Sequence, residues 1–152
     1  MAVAAPEGAR RLLLEAHNAL RARHCAPPLA WSTALERTAQ TWADHLARRG
    51  CPLEHSGGAL GENLASATTG TMRPEGVVGL WYGEVARYRF ARGSFSARTG
   101  HFTQLVWRDS ARLGCGVASC PELQVWVCNY DPPGNVMGQF KENVLPAGAC
   151  QR

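Results

Sequence analysis

Three stretches of the chain repeat apolar residues at helical spacing. Residues 8–24 set Leu12, Leu13, Ala16 and Leu20 on one stripe, with Arg11, Glu15 and Arg21 at the other positions, which predicts an amphipathic helix. Cys25-Ala26-Pro27-Pro28 ends it, because the residue before a proline disfavours the helical region. Ser32 is placed to cap a second helix that runs to about Arg49 on a stripe of Leu35, Ala39, Trp42, Ala43 and Leu46, and Gly50 stops it. Residues 51–73 are rich in glycine and read as loops. Pro74 suits the first turn of a third helix, whose face is Val77, Val78, Trp81, Val85 and Tyr88. Residues 89–100 form a polar loop carrying Phe90 and Phe95. The apolar runs then shorten and become strand-like: Phe102–Trp107, Leu113–Ala118 and Leu123–Tyr130. Helices first and an antiparallel sheet second make the class α+β, in a single domain spanning residues 1–152. If Pro121-Glu122 is the centre of the last hairpin, Cys115 and Cys128 face each other, close enough to bridge.

Composition narrows the function classes. Hydrophobic residues make up 45% and charged residues 18% of 152, which excludes a disordered chain. No apolar run reaches the ~18 residues of a membrane span. The Leu12–Leu14 run is too short for a secretory leader, so an exported protein is expected here in its mature form. The net charge is +4, and Lys141 is the single lysine among sixteen basic residues. The arginines are scattered rather than gathered in a stripe, so no nucleic-acid partner is expected. Six cysteines without a CxxC pair point to disulfides and an oxidising compartment, secreted or periplasmic.

Candidate chemistry lies in the glycine-flanked loops. His17 sits beside the apolar stripe and reads as a packing residue, while His24 and His45 read as solvent-facing. His55 precedes Ser56-Gly57 and His101 follows Gly100, positions suited to ligation or proton transfer. Glu62 lies between Gly61 and Asn63, and Glu84 falls on the apolar side of the third helix, where a carboxylate needs a partner. The plainer readings are that Glu62 caps a turn and Glu84 lies at the edge of the stripe.

Four segments carry a family resemblance. Gly100-His101-Phe102-Thr103-Gln104-Leu105-Val106-Trp107, continuing to Ser110, and Cys128-Asn129-Tyr130-Asp131-Pro132-Pro133-Gly134-Asn135 resemble the two long signatures of the CAP superfamily. That superfamily includes cysteine-rich secretory proteins, insect venom antigen 5 and plant pathogenesis-related class 1 proteins. His17-Asn18-Ala19-Leu20-Arg21 and Gly61-Glu62-Asn63-Leu64 resemble its two short motifs, and Trp126 is a small departure. The resemblance implies an α/β/α sandwich with a three-stranded antiparallel sheet between helices. It implies a central cleft of His55, Glu62, Glu84 and His101, in which the imidazoles would ligate zinc or another divalent cation and the carboxylates orient the rings or bound water. It also implies Cys115–Cys128 and Cys51–Cys120, leaving Cys25 and Cys150, outside the family pattern, to pair with each other. The cysteine-rich extension of animal members is absent, so ion-channel regulation is not expected.

The function implied is that of a secreted, non-enzymatic carrier of a small apolar ligand, a sterol or fatty acid. Tyr88, Phe90 and Phe95 have an aromatic spacing that resembles the sterol-binding loop of fungal relatives, and the competing reading packs the same rings on the core. Arg89, Arg92 and Arg98 flank them and suit an anionic head group or peripheral membrane contact. The alternatives are a metal-dependent extracellular hydrolase or peptidase, although neither HExxH nor GxSxG occurs, and a defence or signalling protein that releases a peptide from the tail after Cys128.

Overall fold

Helix α1 (Glu7–Arg23) shows how the sequence stripe translates into packing in the computed structural model, which describes residues 7–150. The fully buried line is Leu13, His17 and Arg21, four residues apart, continuing to His24. Leu14, Ala16 and Leu20 are only partly buried beside it. The stripe is thus rotated from the sequence expectation, and Arg21, expected outside it, lies at its centre.

A two-residue strand β1 (Ala30–Trp31) leads to helix α2 (Thr33–Arg48). Ser32 caps α2 as its sequence predicts, its hydroxyl accepting the Leu35 N–H at 3.1 Å. Gly50 follows with φ +86°, the left-handed conformation that glycine adopts without strain.

Strand β2 (Gly61–Thr68) corrects the loop expectation for residues 51–73. Its small residues have little strand propensity of their own, and pairing makes it a strand. All eight residues align antiparallel with β4 (Leu123–Asp131). Helix α3 (Pro74–Tyr82) begins at the predicted proline but tightens into a 3₁₀ turn over Gly83–Arg87, which carries Glu84. The run Phe102–Trp107, expected as a strand, belongs instead to helix α4 (Gly100–Leu105). Strand β3 (Arg112–Ser119) and β4 form the predicted hairpin with Cys115 opposite Cys128, and α5 (Phe140–Asn143) follows.

The sheet order is β1-β3-β4-β2, with β1 parallel to β3 and the other pairs antiparallel. The expected three-stranded antiparallel sheet is therefore present, with the short β1 added at one edge. Alternation along β4 divides the core. Val125 and Val127 pack with Ala39, Ala43 and Leu46 of α2, and Trp126, Cys128 and Tyr130 pack with Leu13, Trp81 and Phe102 on the other face. Gly114 and Gly116 let α2 lie close on the sheet, because a Cβ at either would overlap the α2 backbone. Gln40 then bridges the layers, accepting the Val117 N–H at 3.1 Å and donating to the Val117 carbonyl at 2.8 Å.

The disulfides are Cys25–Cys150, Cys51–Cys120 and Cys115–Cys128, and among the described residues no cysteine is free. The same set of residues contains no helix long and apolar enough to cross a membrane.

Candidate functional site

The structure arranges the four expected side chains as two histidine–glutamate pairs. Glu62 sits second in β2, opposite Asn129 of β4. Its Oε1 accepts the Ser56 N–H at 3.0 Å and lies 2.7 Å from Nδ1 of His55, so it folds the 55–58 loop back onto the strand end. Glu84 reaches the start of α4. Its Oε1 accepts the N–H groups of His101 and Phe102 at 2.9 and 3.0 Å, and its Oε2 lies 2.8 Å from Nδ1 of His101. A carboxylate at a helix N-terminus satisfies orphan N–H groups and meets the positive end of the dipole. It therefore fixes the helix and the imidazole together.

An ionised carboxylate only accepts, so in both pairs Nδ1 is the donor, and in the neutral ring Nε2 is the nitrogen left to accept or ligate. His101 also lies parallel to the Trp81 ring, with centroids 6.3 Å apart. The two pairs meet at a cavity of about 170 Å³ lined by His55, Glu62, Asn63, Phe95, His101 and Asn135, among others. The Glu62 side chain is 7% exposed against 66% for His55. Glu62 Oε2 is buried with no hydrogen-bond partner. Among the described residues, however, no group of three or more His, Cys, Asp or Glu side chains is placed to hold a metal ion. The cavity lining thus includes two imidazoles, His55 and His101, together with Glu62, whose Oε2 has no partner.

A buried polar chain supports this site. His17 Nδ1 donates to the Leu13 carbonyl at 2.8 Å, and its Nε2 accepts the Tyr130 hydroxyl proton at 2.7 Å. Tyr130 in turn accepts from Asn63 Nδ2 at 3.2 Å, and Asn63 also donates to the His101 carbonyl at 3.0 Å. Burial pushes the His17 imidazole down to about 4 and the Tyr130 phenol upward, so both are neutral at ordinary pH.

Arg21 holds the other end of α4. Its guanidinium donates to the carbonyls of Leu105 at 3.2 Å, Trp107 at 2.8 Å and Ser110 at 3.0 Å, and its Nε donates to Pro27 at 2.9 Å. Burial lowers it to about 10, which leaves it charged at neutral pH. Gln104 anchors the same helix to the loop after β4, accepting the Gly134 N–H at 2.9 Å and donating to Ser110 Oγ at 3.1 Å. Sequence reasoning did not single out Arg21, Asn63, Gln104 or Tyr130. Each lies inside one of the four quoted motifs, and that was the available signal.

Two other expectations need correction. His24 is buried rather than solvent-facing. Its Nδ1 donates to the Leu145 carbonyl at 2.7 Å and its Nε2 accepts from the Tyr82 hydroxyl at 2.9 Å. His45 is half-buried against Trp42. In the aromatic loop, Tyr88 is 8% exposed and Phe90 stacks on His24, so both belong to the core, and only Phe95 is exposed, at 43%. An apolar groove of about 450 Å³ adjoins the Glu84–His101 pair, which forms part of its lining. It is lined by Leu53, Leu64, Leu80 and Trp81, and Leu53 and Leu80 are each 53% exposed.

Residues 14–130 match the pattern of the family described as the cysteine-rich secretory protein family, CAP. The chain is 40% identical over 141 residues to the human Golgi-associated plant pathogenesis-related protein 1, covering 88% of this chain and 90% of that protein. It is 42% identical over 132 residues to the secreted protein RBT4 of Candida albicans, covering 83% of this chain and 35% of the relative. Against the fungal relatives it spans between about a third and a half of their length, 35–52%. The crystal structure of NaASP2 with Zn2+ superposes with a TM-score of 0.71 at 28% identity, over 94% of this chain and 87% of that one.

Proposed function

Because this chain belongs to the cysteine-rich secretory protein (CAP) family, we propose that it is a secreted, non-enzymatic binding protein. It would take a small apolar ligand of sterol or fatty-acid type and hold a divalent cation, zinc or another, between His55 and His101. One observation carries the cation reading. Each imidazole is oriented by a glutamate through Nδ1, at 2.7 and 2.8 Å, and both histidines line one cavity. That is the carboxylate–histidine arrangement that raises the basicity of a ligating ring. The orphaned Glu62 Oε2 adds an acceptor for a coordinated water or the ion itself. A structural relative solved with Zn2+ supports the same assignment. When bound, the cation would supply a Lewis-acidic centre, while the chain's own residues fix the two rings and tie the 55–58 loop to β2.

The groove of Leu53, Leu64, Leu80 and Trp81 supports the apolar ligand, since exposed leucines beside a concave surface are the usual lining of such sites. Both oxygens of Glu84 are occupied by N–H groups, which favours a positioning role over that of a base for hydrolysis. The three disulfides and the likeness to a protein called secreted support an extracytoplasmic location. Cys25–Cys150 and the His24–Leu145 bond fasten the tail, which argues against release of a peptide from it.

Native mass spectrometry of the purified protein, repeated after organic extraction and after chelation, tests this reading. The expected result is an extractable lipid-sized adduct and a weakly held metal, with no turnover of peptide substrates. Tightly bound metal accompanied by peptide cleavage would overturn it in favour of the hydrolase.

A further inference from the structure

A second cavity, of about 350 Å³, lies against the loop after α3, and its lining includes Arg87, Tyr88, Arg89, Arg92, Ser94 and Ser96. Its character is cationic. Arg87, Arg89 and Arg92 are exposed, none makes an ion pair among the described residues, and no carboxylate lines the cavity. Nearby Glu84 is already committed to His101 and the start of α4. The turn that presents the arginines is a built feature. The N–H groups of Arg92 and Gly93 both donate to the Arg89 carbonyl, at 3.1 and 3.0 Å, and Gly93 has φ +60°. The stem of Lys141, the only lysine, packs on Gly93 where a Cβ would collide, and adds a fourth positive charge to this side.

A second, independent observation points to a ligand. Tyr88 lines this cavity, is only 8% exposed, and its hydroxyl is buried without a hydrogen-bond partner. A buried hydroxyl left unpaired is costly unless something fills the vacancy. Burial raises the phenol above its usual range, so it remains a donor. Three unpaired guanidiniums and a spare hydroxyl donor suit a small dianion with several oxygens.

We propose that this cavity binds a phosphoryl dianion, held by Arg87, Arg89 and Arg92 with the Tyr88 hydroxyl as a further donor. The chemistry is common to free phosphate and to the head group of a phosphomonoester lipid. The cavity borders the apolar groove at Arg87 and the histidine–glutamate cleft at Phe95, but the residues varied in its test, Tyr88, Arg89 and Arg92, line neither.

The test uses the intact protein, inorganic phosphate in calorimetry, and flotation with vesicles of phosphatidylcholine carrying either phosphatidate or phosphatidylglycerol at matched surface charge. The parent should bind phosphate saturably. Arg89→Gln with Arg92→Gln should weaken binding by about tenfold or more. The charge-matched control, Arg37→Gln with Arg48→Gln, both exposed and remote in sequence, should leave it unchanged. Tyr88→Phe should weaken phosphate binding several-fold without lowering the melting temperature. Preference for phosphatidate vesicles would identify a lipid head group, and phosphate binding without that preference would identify the free ion. Equal losses in both arginine pairs, normal binding by Tyr88→Phe, or no saturable binding to either probe would overturn the proposal.

Discussion

At the scale of single residues, the polar chain behind the site rests on a buried imidazole, His17, held in one tautomer by fixed partners. His17 shows the energetic consequence most clearly. It is fully buried, it donates to Leu13 and accepts from Tyr130, and it takes up a proton only near pH 4 in the folded state, against about 6.5 when unfolded. Between those values the unfolded chain binds more protons, so stability falls as pH drops through that window and is level above it. The full difference corresponds to about 3 kcal/mol for this residue. His24, also lowered by burial, acts in the same direction. Urea unfolding at pH 7.5, 6, 5 and 4 should therefore show a progressive loss of stability below pH 6.5. His17→Gln should flatten that slope even though it lowers stability at pH 7.5. A parent profile that is flat from pH 7.5 to 4 would contradict the assignment.

At the scale of elements, α4 is held in place by side chains from elsewhere in the chain. It has six residues, too few to be stable alone, and it is held between the Glu84 carboxylate at its start and the Arg21 guanidinium at its end. Gln104 adds a third anchor, packed where Gly61 and Gly134 have no side chain. Gly61 has no positive φ, so the cost of adding a methyl there is steric. Gly61→Ala should displace Gln104 and destabilise the fold by about 1–3 kcal/mol. Gly58→Ala, whose added Cβ would meet Ser56 Oγ at an ordinary 3.7 Å, should be tolerated. Equal melting temperatures for the two variants would show that the Gln104 anchor is dispensable.

The same helix shows what the sequence concealed. Phe102–Trp107 looks like a short strand because six apolar-rich residues fit either period, and the glutamate and arginine that decide the matter lie elsewhere in the chain. Strand β2 was hidden for a related reason, since its two alanines, serine and threonine signal nothing until β4 pairs with them. The three longer helices were legible from periodicity, although Arg21 rotated the buried face of the first one. The β3–β4 register was legible from the turn, as the Cys115–Cys128 bridge confirms. The quartet His55, Glu62, Glu84 and His101 was legible from glycine-flanked loops and motif order. That Tyr88 and Phe90 would join the core was legible only as the competing reading.

At the scale of the whole molecule, the disulfides secure both faces and the ends. Cys51–Cys120 ties the chain after α2 to the β3–β4 hairpin, and Cys25–Cys150 ties the end of α1 to the tail across a separation of 125 residues. Closing a loop of that size is worth about 4–5 kcal/mol on chain-entropy grounds. Cys25→Ser with Cys150→Ser should lower unfolding free energy by up to that amount and free the tail to proteolysis. An unchanged denaturation midpoint would contradict a stabilising role for this bridge. The bridge also lies close to the His24–Leu145 bond, so it should be needed for the tail to stay docked.

The cation site proposed above rests on two glutamate-oriented histidines, His55 and His101. Zinc titration by calorimetry, comparing the parent with His55→Ala combined with His101→Ala, tests it most directly. The parent should bind one zinc at about micromolar affinity or weaker, because two imidazoles supply only half of a closed coordination shell. The double variant should lose that binding while melting within a few degrees of the parent. Equal zinc binding by parent and double variant, or none by the parent, would contradict the claim.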